Sequence, residues 1–192
     1  MKIRRQRLCL VVFLSMLLAL AVAPQIVMAH QQSQSRFYLV SLGVGDPDLI
    51  TLRAINTIKA SDIIVCRNRT QSEFAEYLQG KTIVDQSMAG WRKYRKDCAS
   101  IKDPKQRAEC QKSAESRAQL IKTIRAAVEA GKTVSILGSG DMMIYGGPYR
   151  WYLEEFKDLH PKVIPGVSCF NAANAAMGKD IMMGKSSHST VL

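Results

Sequence analysis

The chain has 192 residues, of which 47% are hydrophobic, and this length is enough for one domain with its own core. It carries 27 basic against 16 acidic residues, a formal net charge of +11. Charge alone would allow a nucleic-acid partner, but a basic surface explains the excess more simply, and we expect no nucleic acid. The five cysteines lack Cys-x-x-Cys spacing and the three histidines do not cluster, so no metal site is predicted.

Residues 1–29 have the order of an export signal. Four basic residues precede an apolar run over residues 8–23, and small residues lead to Ala29 before a polar stretch begins. This pattern predicts a leader cleaved after Ala29, a polar linker over residues 30–36, and export to the periplasm or the medium. Without the leader, 23 basic and 16 acidic residues give a net charge of +7. The alternative is an uncleaved membrane anchor, although the run is short for a span of about 20 residues. Membrane contact is expected only in that case.

From Phe37 onward, predicted strands and helices alternate. Short apolar runs predict strands over residues 37–42, 62–66, 82–84, 133–137 and 162–164. Helical spacing of apolar residues predicts helices over 47–60, 72–79, 104–130, 148–157 and 168–177. In the long helix the predicted apolar stripe is Ala114, Ala118, Ile121, Ile124 and Val128. Such alternation predicts an α/β fold, with a parallel sheet and helices on both of its faces.

The first strand leads into a tight turn, Gly43-Val44-Gly45-Asp46. Its two glycines let the backbone turn sharply and expose its amides. Asp46 and Asp48 place two carboxylates at the start of the next predicted helix, where a phosphate group would otherwise bind. The third glycine of a dinucleotide-binding fingerprint is also missing. The turn therefore favours a ligand without phosphates.

Two later turns follow the fourth and fifth predicted strands. The first contains Gly138, Gly140 and Asp141, and the second is Pro165-Gly166. The carboxyl ends of parallel strands lie at one edge of the sheet, where ligands bind, so we expect all three turns to converge. The plainer alternative is that the second turn only joins a strand to a helix, with Asp141 as the helix cap.

Three segments together resemble the tetrapyrrole (corrin/porphyrin) methylase family. They are LGVGDPDLIT at residues 42–51, GSGDMMIYG at 138–146 and VIPGVSCFNAA at 163–173, and they occur in the family's order. The resemblance implies the N-terminal α/β domain of such a methylase over residues 37–178. Residues 179–192 would then begin a second domain that is largely absent. It also implies S-adenosylmethionine-dependent methyl transfer to a tetrapyrrole-like acceptor.

The resemblance also implies which residues form the site. Cofactor contacts are assigned to Ser139, Gly140, Asp141, Ile144, Ser168 and Cys169. The turn from Gly43 to Asp46 is assigned to the substrate side. No catalytic residue is named, because the cofactor is already activated and the rate comes mainly from positioning. The alternative function is an exported, non-catalytic binding module that retains the fold, and a second copy of the chain is a candidate partner.

The chain departs from the family pattern at three places. Val44 stands where many members have proline, Arg67 where uroporphyrinogen-type members have aspartate, and Met142 where proline usually follows the aspartate of the second turn. The resemblance therefore does not specify which tetrapyrrole would be the acceptor.

A basic insertion is predicted over residues 90–112, where eight basic residues face three acidic ones. Trp91 and Tyr94 are interleaved with the charges. An anionic partner, such as tetrapyrrole carboxylates or a membrane surface, is one interpretation. A solvated insertion is the other.

The four cysteines beyond the leader fall into two classes. Cys98 and Cys110 lie twelve residues apart in the hydrophilic segment, and we predict that they form a disulfide if the chain is exported. Cys66 and Cys169 lie in apolar contexts and are predicted to be small core residues.

Overall fold

The computed structural model describes residues 35–44, 46–86, 97–144, 147 and 149–180. All of them fall within one compact unit that begins at Ser35. A single parallel sheet runs through it, in the order β3-β2-β4-β1-β5. Its strands are β1 (Phe37–Ser41), β2 (Ile63–Cys66), β3 (Thr82–Asp85), β4 (Val134–Gly138) and β5 (Lys162–Ile164). Each lies within two residues of its predicted bounds.

Helices lie between these strands and after the last of them. They are α1 (Leu52–Ala60), α2 (Asn68–Glu73), α3 (Pro104–Glu129), α4 (Arg150–Glu155) and α5 (Cys169–Met177). Short 3-10 turns lie at Pro47–Leu49, Ala75–Tyr77, Cys98–Ser100 and Lys157–Leu159. Across the described ranges, none of the helices combines the length and the apolar character that a membrane span needs.

The strands alternate their side chains between two apolar layers. Phe37 and Leu39 of β1 point to the layer that contains α3 and α4, including Ile124 and Phe156. Val40 points to the opposite layer, which contains α1. This period of two lets one sheet bury both faces under helices. The predicted α/β fold, with helices on both faces of a parallel sheet, is confirmed.

The helix predicted over residues 47–60 is interrupted. Pro47–Leu49 forms a 3-10 turn, Ile50 and Thr51 are extended, and α1 begins only at Leu52. The interruption turns Ile50 into the core and leaves the Leu52 side chain 79% exposed. Thr51 caps α1, with its side-chain oxygen accepting a hydrogen bond from the amide of residue 54 at 3.1 Å. The predicted single amphipathic helix is therefore wrong because burial of Ile50 breaks the helical run.

The buried face of α3 also differs from the predicted stripe. Ala118 is exposed, and the fully covered positions in the second half of the helix are Leu120, Ile124 and Ala127. These positions have the i, i+4, i+7 spacing that a helix needs to pack on a sheet. Ile124 of the predicted stripe is buried, and Ile121 and Val128 pack half-buried against the same layer, so the prediction was wrong at Ala118.

Two further predictions differ from the structure. The helix predicted over residues 72–79 begins four residues earlier, as α2, and is followed by the 3-10 turn Ala75–Tyr77. Cys66 is buried as predicted, but Cys169 is exposed. The reason is that α5 has no buried residue, so the apolar context of Cys169 in the sequence does not translate into burial.

Cys98 and Cys110 are joined by a disulfide in the structure. The bond ties the Cys98–Ser100 turn to the N-terminal part of α3, which begins inside the predicted basic insertion. Several predictions lie outside the described residues. These are the leader, the linker up to residue 34, Gly45, residues 90–96 with Trp91 and Tyr94, Gly146, Pro148 and residues 181–192.

Candidate functional site

The first two glycine turns pair through their backbones at the carboxyl edge of the sheet. The amide of Gly43 donates to the carbonyl of Gly140 at 3.2 Å, and the amide of Gly140 donates back to Gly43 at 2.6 Å. The Pro165-Gly166 turn packs against both, since a Cβ built at Gly166 would lie 2.6 Å from the Gly140 carbonyl oxygen and 3.0 Å from the Gly43 nitrogen. The three turns therefore converge.

Gly43 and Gly140 share a backbone conformation that favours glycine, but their surroundings differ. Both have positive φ, +84° and +71°, which strains residues that carry a side chain. A Cβ at Gly43 would also lie 2.6 Å from the Leu49 carbonyl oxygen. Nothing lies within 4 Å of a Cβ built at Gly140, so the missing side chain leaves open space there. Gly43 thus permits close packing, whereas Gly140 leaves room for a ligand.

The second turn is held in place by hydrogen bonds on both sides of Asp141. The buried Ser41 hydroxyl accepts from the amide of Met142 at 3.1 Å. One carboxylate oxygen of Asp141 accepts from the amide of Met143 at 2.8 Å, and its carbonyl accepts from Ile144 at 3.2 Å. Asp141 therefore caps a turn rather than a helix. Its other carboxylate oxygen has no hydrogen bond within the described residues, so it can accept from a ligand.

A cavity of about 310 Å³ opens beside the converged turns. We call it the first cavity. It is lined by all six residues that the resemblance assigned to the cofactor, together with Val44, Arg67 and Tyr149. The six are Ser139, Gly140, Asp141, Ile144, Ser168 and Cys169. The volume is at the lower end of the range for small-molecule sites, roughly 300–1,000 Å³.

Ser168 and Cys169 form the start of α5 at this cavity. The Ser168 hydroxyl accepts from the amide of Asn171 at 3.4 Å and lies 2.6 Å from the Asn171 side-chain oxygen, to which it donates. Ser168 is therefore mainly a helix cap, fixed in place by Asn171. Cys169 contributes an exposed thiol to the cavity wall.

A neighbouring second cavity has a volume of about 350 Å³. It shares Val44, Arg67, Ser139 and Tyr149 with the first, so these four residues form a common wall. Gly43 and Val44 of the predicted substrate-side turn line the second cavity. Asp46 lines neither cavity, and its side chain makes no capping hydrogen bond.

Several residues of the cavities were not predicted as site residues, among them Arg67, Gln86 and Tyr149. Arg67 and Gln86 directly follow β2 and β3, so the rule that ligands bind at carboxyl ends could have identified them. Tyr149 carries no such signal. Its ring fills the space over Gly138, where a Cβ would lie 2.5 Å from the ring. Burial raises the pKa of the Tyr149 hydroxyl, and the positive charge of Arg67 partly offsets this increase.

These features define a class of protein: an α/β domain with cavities of small-molecule size at the carboxyl edge of a parallel sheet. The family model for tetrapyrrole (corrin/porphyrin) methylases matches residues 36–192. The chain belongs to this family.

Individual relatives agree with the assignment. A uroporphyrinogen-III C-methyltransferase of Methanobacterium ivanovii is 38% identical over 47 residues, which are 24% of this chain and 20% of that protein. Another from Cyanidium caldarium is 24% identical over 151 residues, or 78% of this chain and 53% of that one. The solved structure of a cobalt precorrin-4 methyltransferase shares the fold with a TM-score of 0.52 and 19% identity, covering 78% of this chain and 54% of that one. The chain thus spans no more than about half the length of these relatives.

Proposed function

We propose that the chain binds S-adenosylmethionine in the first cavity and directs its methyl group to a tetrapyrrole-like acceptor in the second. One observation supports this most strongly: the six residues assigned to the cofactor from separate stretches of sequence line a single cavity. Membership of the methylase family gives the reaction class. The whole reaction remains part of the proposal, because the chain covers about half of its relatives.

The residues of the first cavity fit this cofactor. S-adenosylmethionine has hydroxyl groups, an ammonium, a sulfonium and a carboxylate but no phosphate. The second carboxylate oxygen of Asp141, which makes no hydrogen bond to a described residue, suits the ribose hydroxyls or the ammonium. The open space beside Gly140 allows close approach of a ligand to the backbone. The negative charge of Asp141 would repel a phosphate group.

When bound, the cofactor supplies an activated methyl group, so the protein needs no nucleophile of its own. The chain's task is to hold the acceptor in line with the methyl group, at a separation of roughly 3–3.5 Å. Two cavities that share a wall can place two ligands side by side. Tyr149 is fixed in that wall by its contact with Gly138 and can therefore keep the spacing constant.

Calorimetry with the demethylated product, S-adenosylhomocysteine, tests the cofactor site. We expect a dissociation constant in the high micromolar range, about −5 to −6 kcal/mol, because a cavity this small buries only part of the ligand. Asp141→Ala should cost about 1.5–3 kcal/mol, the value of a hydrogen bond to a charged group. Asp85→Ala removes a carboxylate that lines neither cavity and should leave binding unchanged. Absence of binding at millimolar ligand would contradict the proposal.

A methyl-transfer assay distinguishes the two functions that the sequence left open. Uroporphyrinogen III, the compound named for the two relatives above, is the first acceptor to test. Transfer of labelled methyl groups supports the enzyme. Cofactor binding without transfer to this or other tetrapyrroles favours the exported binding module.

A further inference from the structure

Arg67 occupies an unusual place in the site. It follows β2 at the carboxyl edge and is one of four residues in the wall shared by the two cavities. Among the residues that the structure describes, Arg67 is the basic side chain that lines both cavities. A ligand in either cavity would therefore meet its positive charge.

On the side of the second cavity, the described residues leave the charge of Arg67 without a compensating carboxylate. Arg69 and Glu73 also line the second cavity, but they pair with each other at 2.7 Å. In the described part of the chain no carboxylate forms an ion pair with Arg67. Among the described residues that line it, the second cavity therefore has a surplus of one positive charge, located at the shared wall.

Tyr149 adds a hydrogen-bond donor beside this charge. Both residues lie in the shared wall, and the guanidinium of Arg67 is close enough to influence the Tyr149 hydroxyl electrostatically. Burial raises the pKa of that hydroxyl, so it stays protonated and able to donate at neutral pH. A guanidinium and a neutral phenol together offer several donors and no negative charge, which is the arrangement that binds a carboxylate.

We propose that Arg67, assisted by Tyr149, binds a carboxylate of the acceptor at the wall between the two cavities and so selects anionic acceptors. The inference rests on the proposed function only for the identity of the acceptor. Arg67 is then a specificity-determining residue that fixes one acid group of the acceptor next to the first cavity. The cofactor also carries a carboxylate, and the experiment must separate the two sources.

The test is a fluorescence titration of the full chain with uroporphyrin I, which carries eight carboxylates. Arg67→Gln should weaken binding about tenfold to a hundredfold, as expected for loss of a charge-assisted hydrogen bond. Arg67→Lys keeps the charge but loses the planar geometry, so its loss should be smaller. The matched control is Arg53→Gln, which removes the same charge from an exposed position on α1 outside both cavities. It should change binding less than twofold.

Equal losses in Arg67→Gln and Arg53→Gln would overturn the inference, because they would reflect only attraction between a basic protein and a polyanion. Failure of the wild type to bind uroporphyrin would overturn it as well. Circular dichroism of each variant verifies that the exposed substitutions leave the fold intact.

S-adenosylhomocysteine and 5′-methylthioadenosine, which lacks the carboxylate, identify the source of the acid group. We expect Arg67→Gln to leave binding of both unchanged. If it weakens only S-adenosylhomocysteine, Arg67 serves the cofactor and the inference is wrong. If the wild type binds uroporphyrin through Arg67 but neither nucleoside, the cofactor proposal fails while this inference stands.

Discussion

Gly166 lies so close to Gly140 that a Cβ on Gly166 would stand 2.6 Å from the Gly140 carbonyl oxygen. This contact joins the turn after β5 to the turn after β4, and the Gly140 pairing with Gly43 extends the link to the turn after β1. The backbone atoms of Gly140 and Gly43 beside this position cannot move aside as the end of a flexible side chain could. The shape of the first cavity therefore depends on the absence of a side chain at Gly166.

Gly166→Ala should separate these turns. We expect a loss of about 1–3 kcal/mol in the free energy of unfolding, the usual cost of overpacking, together with weaker binding of S-adenosylhomocysteine. Gly80→Ala is the control, because it adds a methyl group where nothing lies within 4 Å and outside both cavities. Its positive φ of +72° costs about 1–2 kcal/mol, but ligand binding should persist. Denaturant unfolding and calorimetry measure both effects, and wild-type stability in Gly166→Ala would contradict the close contact.

The two free cysteines among the described residues should differ in reactivity. Cys169 is exposed in the wall of the first cavity, whereas Cys66 is buried. Burial, with a smaller contribution from Asp85, raises the pKa of the Cys66 thiol to about 11, so it carries almost no thiolate at pH 8. Iodoacetamide at pH 8 should therefore modify Cys169 and spare Cys66 until the chain unfolds.

Peptide mapping by mass spectrometry locates each modified cysteine and separates these two from Cys9. Added S-adenosylhomocysteine should slow the modification of Cys169, because the ligand would cover the cavity wall. Equal modification of Cys66 and Cys169 in the folded chain would contradict the burial difference. Modification of Cys169 at an unchanged rate under saturating ligand would place the ligand elsewhere.

The sequence predicted those strands and turns whose conformation depends on residues close together in the chain. Short apolar runs located all five strands, and Gly43 and Gly140 marked turns because their positive φ is a property of single residues. The break at Ile50 could not be found in this way, since an uninterrupted helix satisfies local preferences equally well. Packing of Ile50 against the second apolar layer favours the extended conformation, and the cap that Thr51 provides for α1 supports it.

For the candidate site, the sequence likewise predicted some of the cavity-lining residues and missed others. Six residues near the glycine turns came from the resemblance, and all of them line the first cavity. Tyr149 was missed because its role depends on the space above Gly138, which lies eleven positions earlier in the sequence and on another element. Cys169 was placed in the core because its neighbours are apolar, but α5 has no buried residue. Burial of that kind depends on what packs against a helix, and the sequence of the helix does not contain this information.

Asp158 should make stability depend on pH. Its side-chain oxygen lies 2.8 Å from a guanidinium nitrogen of Arg125, an ion pair that links the turn after α4 to α3. The hydrogen bond from Arg125 lowers the pKa of the Asp158 carboxyl in the folded chain. The unfolded chain therefore binds this proton more readily, so the ion pair contributes above the unfolded pKa of about 3.9 and is lost as the pH falls further.

Asp158→Asn should therefore unfold at a lower temperature than the wild type at pH 6, and this difference should shrink as the pH falls below about 4. Because the pair is exposed, the difference at pH 6 should be small and should decrease with added salt. Asp48→Asn is the control, because it removes an equal charge from a carboxylate that has no ion pair within the described residues. Thermal unfolding from pH 3 to 6 measures all three proteins. A difference for Asp158→Asn that grows at low pH would contradict the assigned direction.

The export proposal joins the leader pattern to the disulfide. Residues 1–29 lie outside the described structure, but the bond between Cys98 and Cys110 is of a kind that persists mainly in oxidising compartments. We expect the chain to be cleaved after Ala29 in an exporting bacterial host and to be recovered with both thiols oxidised. Intact mass and non-reducing peptide maps measure these two outcomes in one preparation.

Replacing both cysteines with serine should lower the free energy of unfolding by about 2–3 kcal/mol in the chain-entropy model of so short a loop. A chain that still begins at Met1 in the membrane fraction would favour the anchor, and free thiols at Cys98 and Cys110 in exported protein would contradict the link between the disulfide and the compartment.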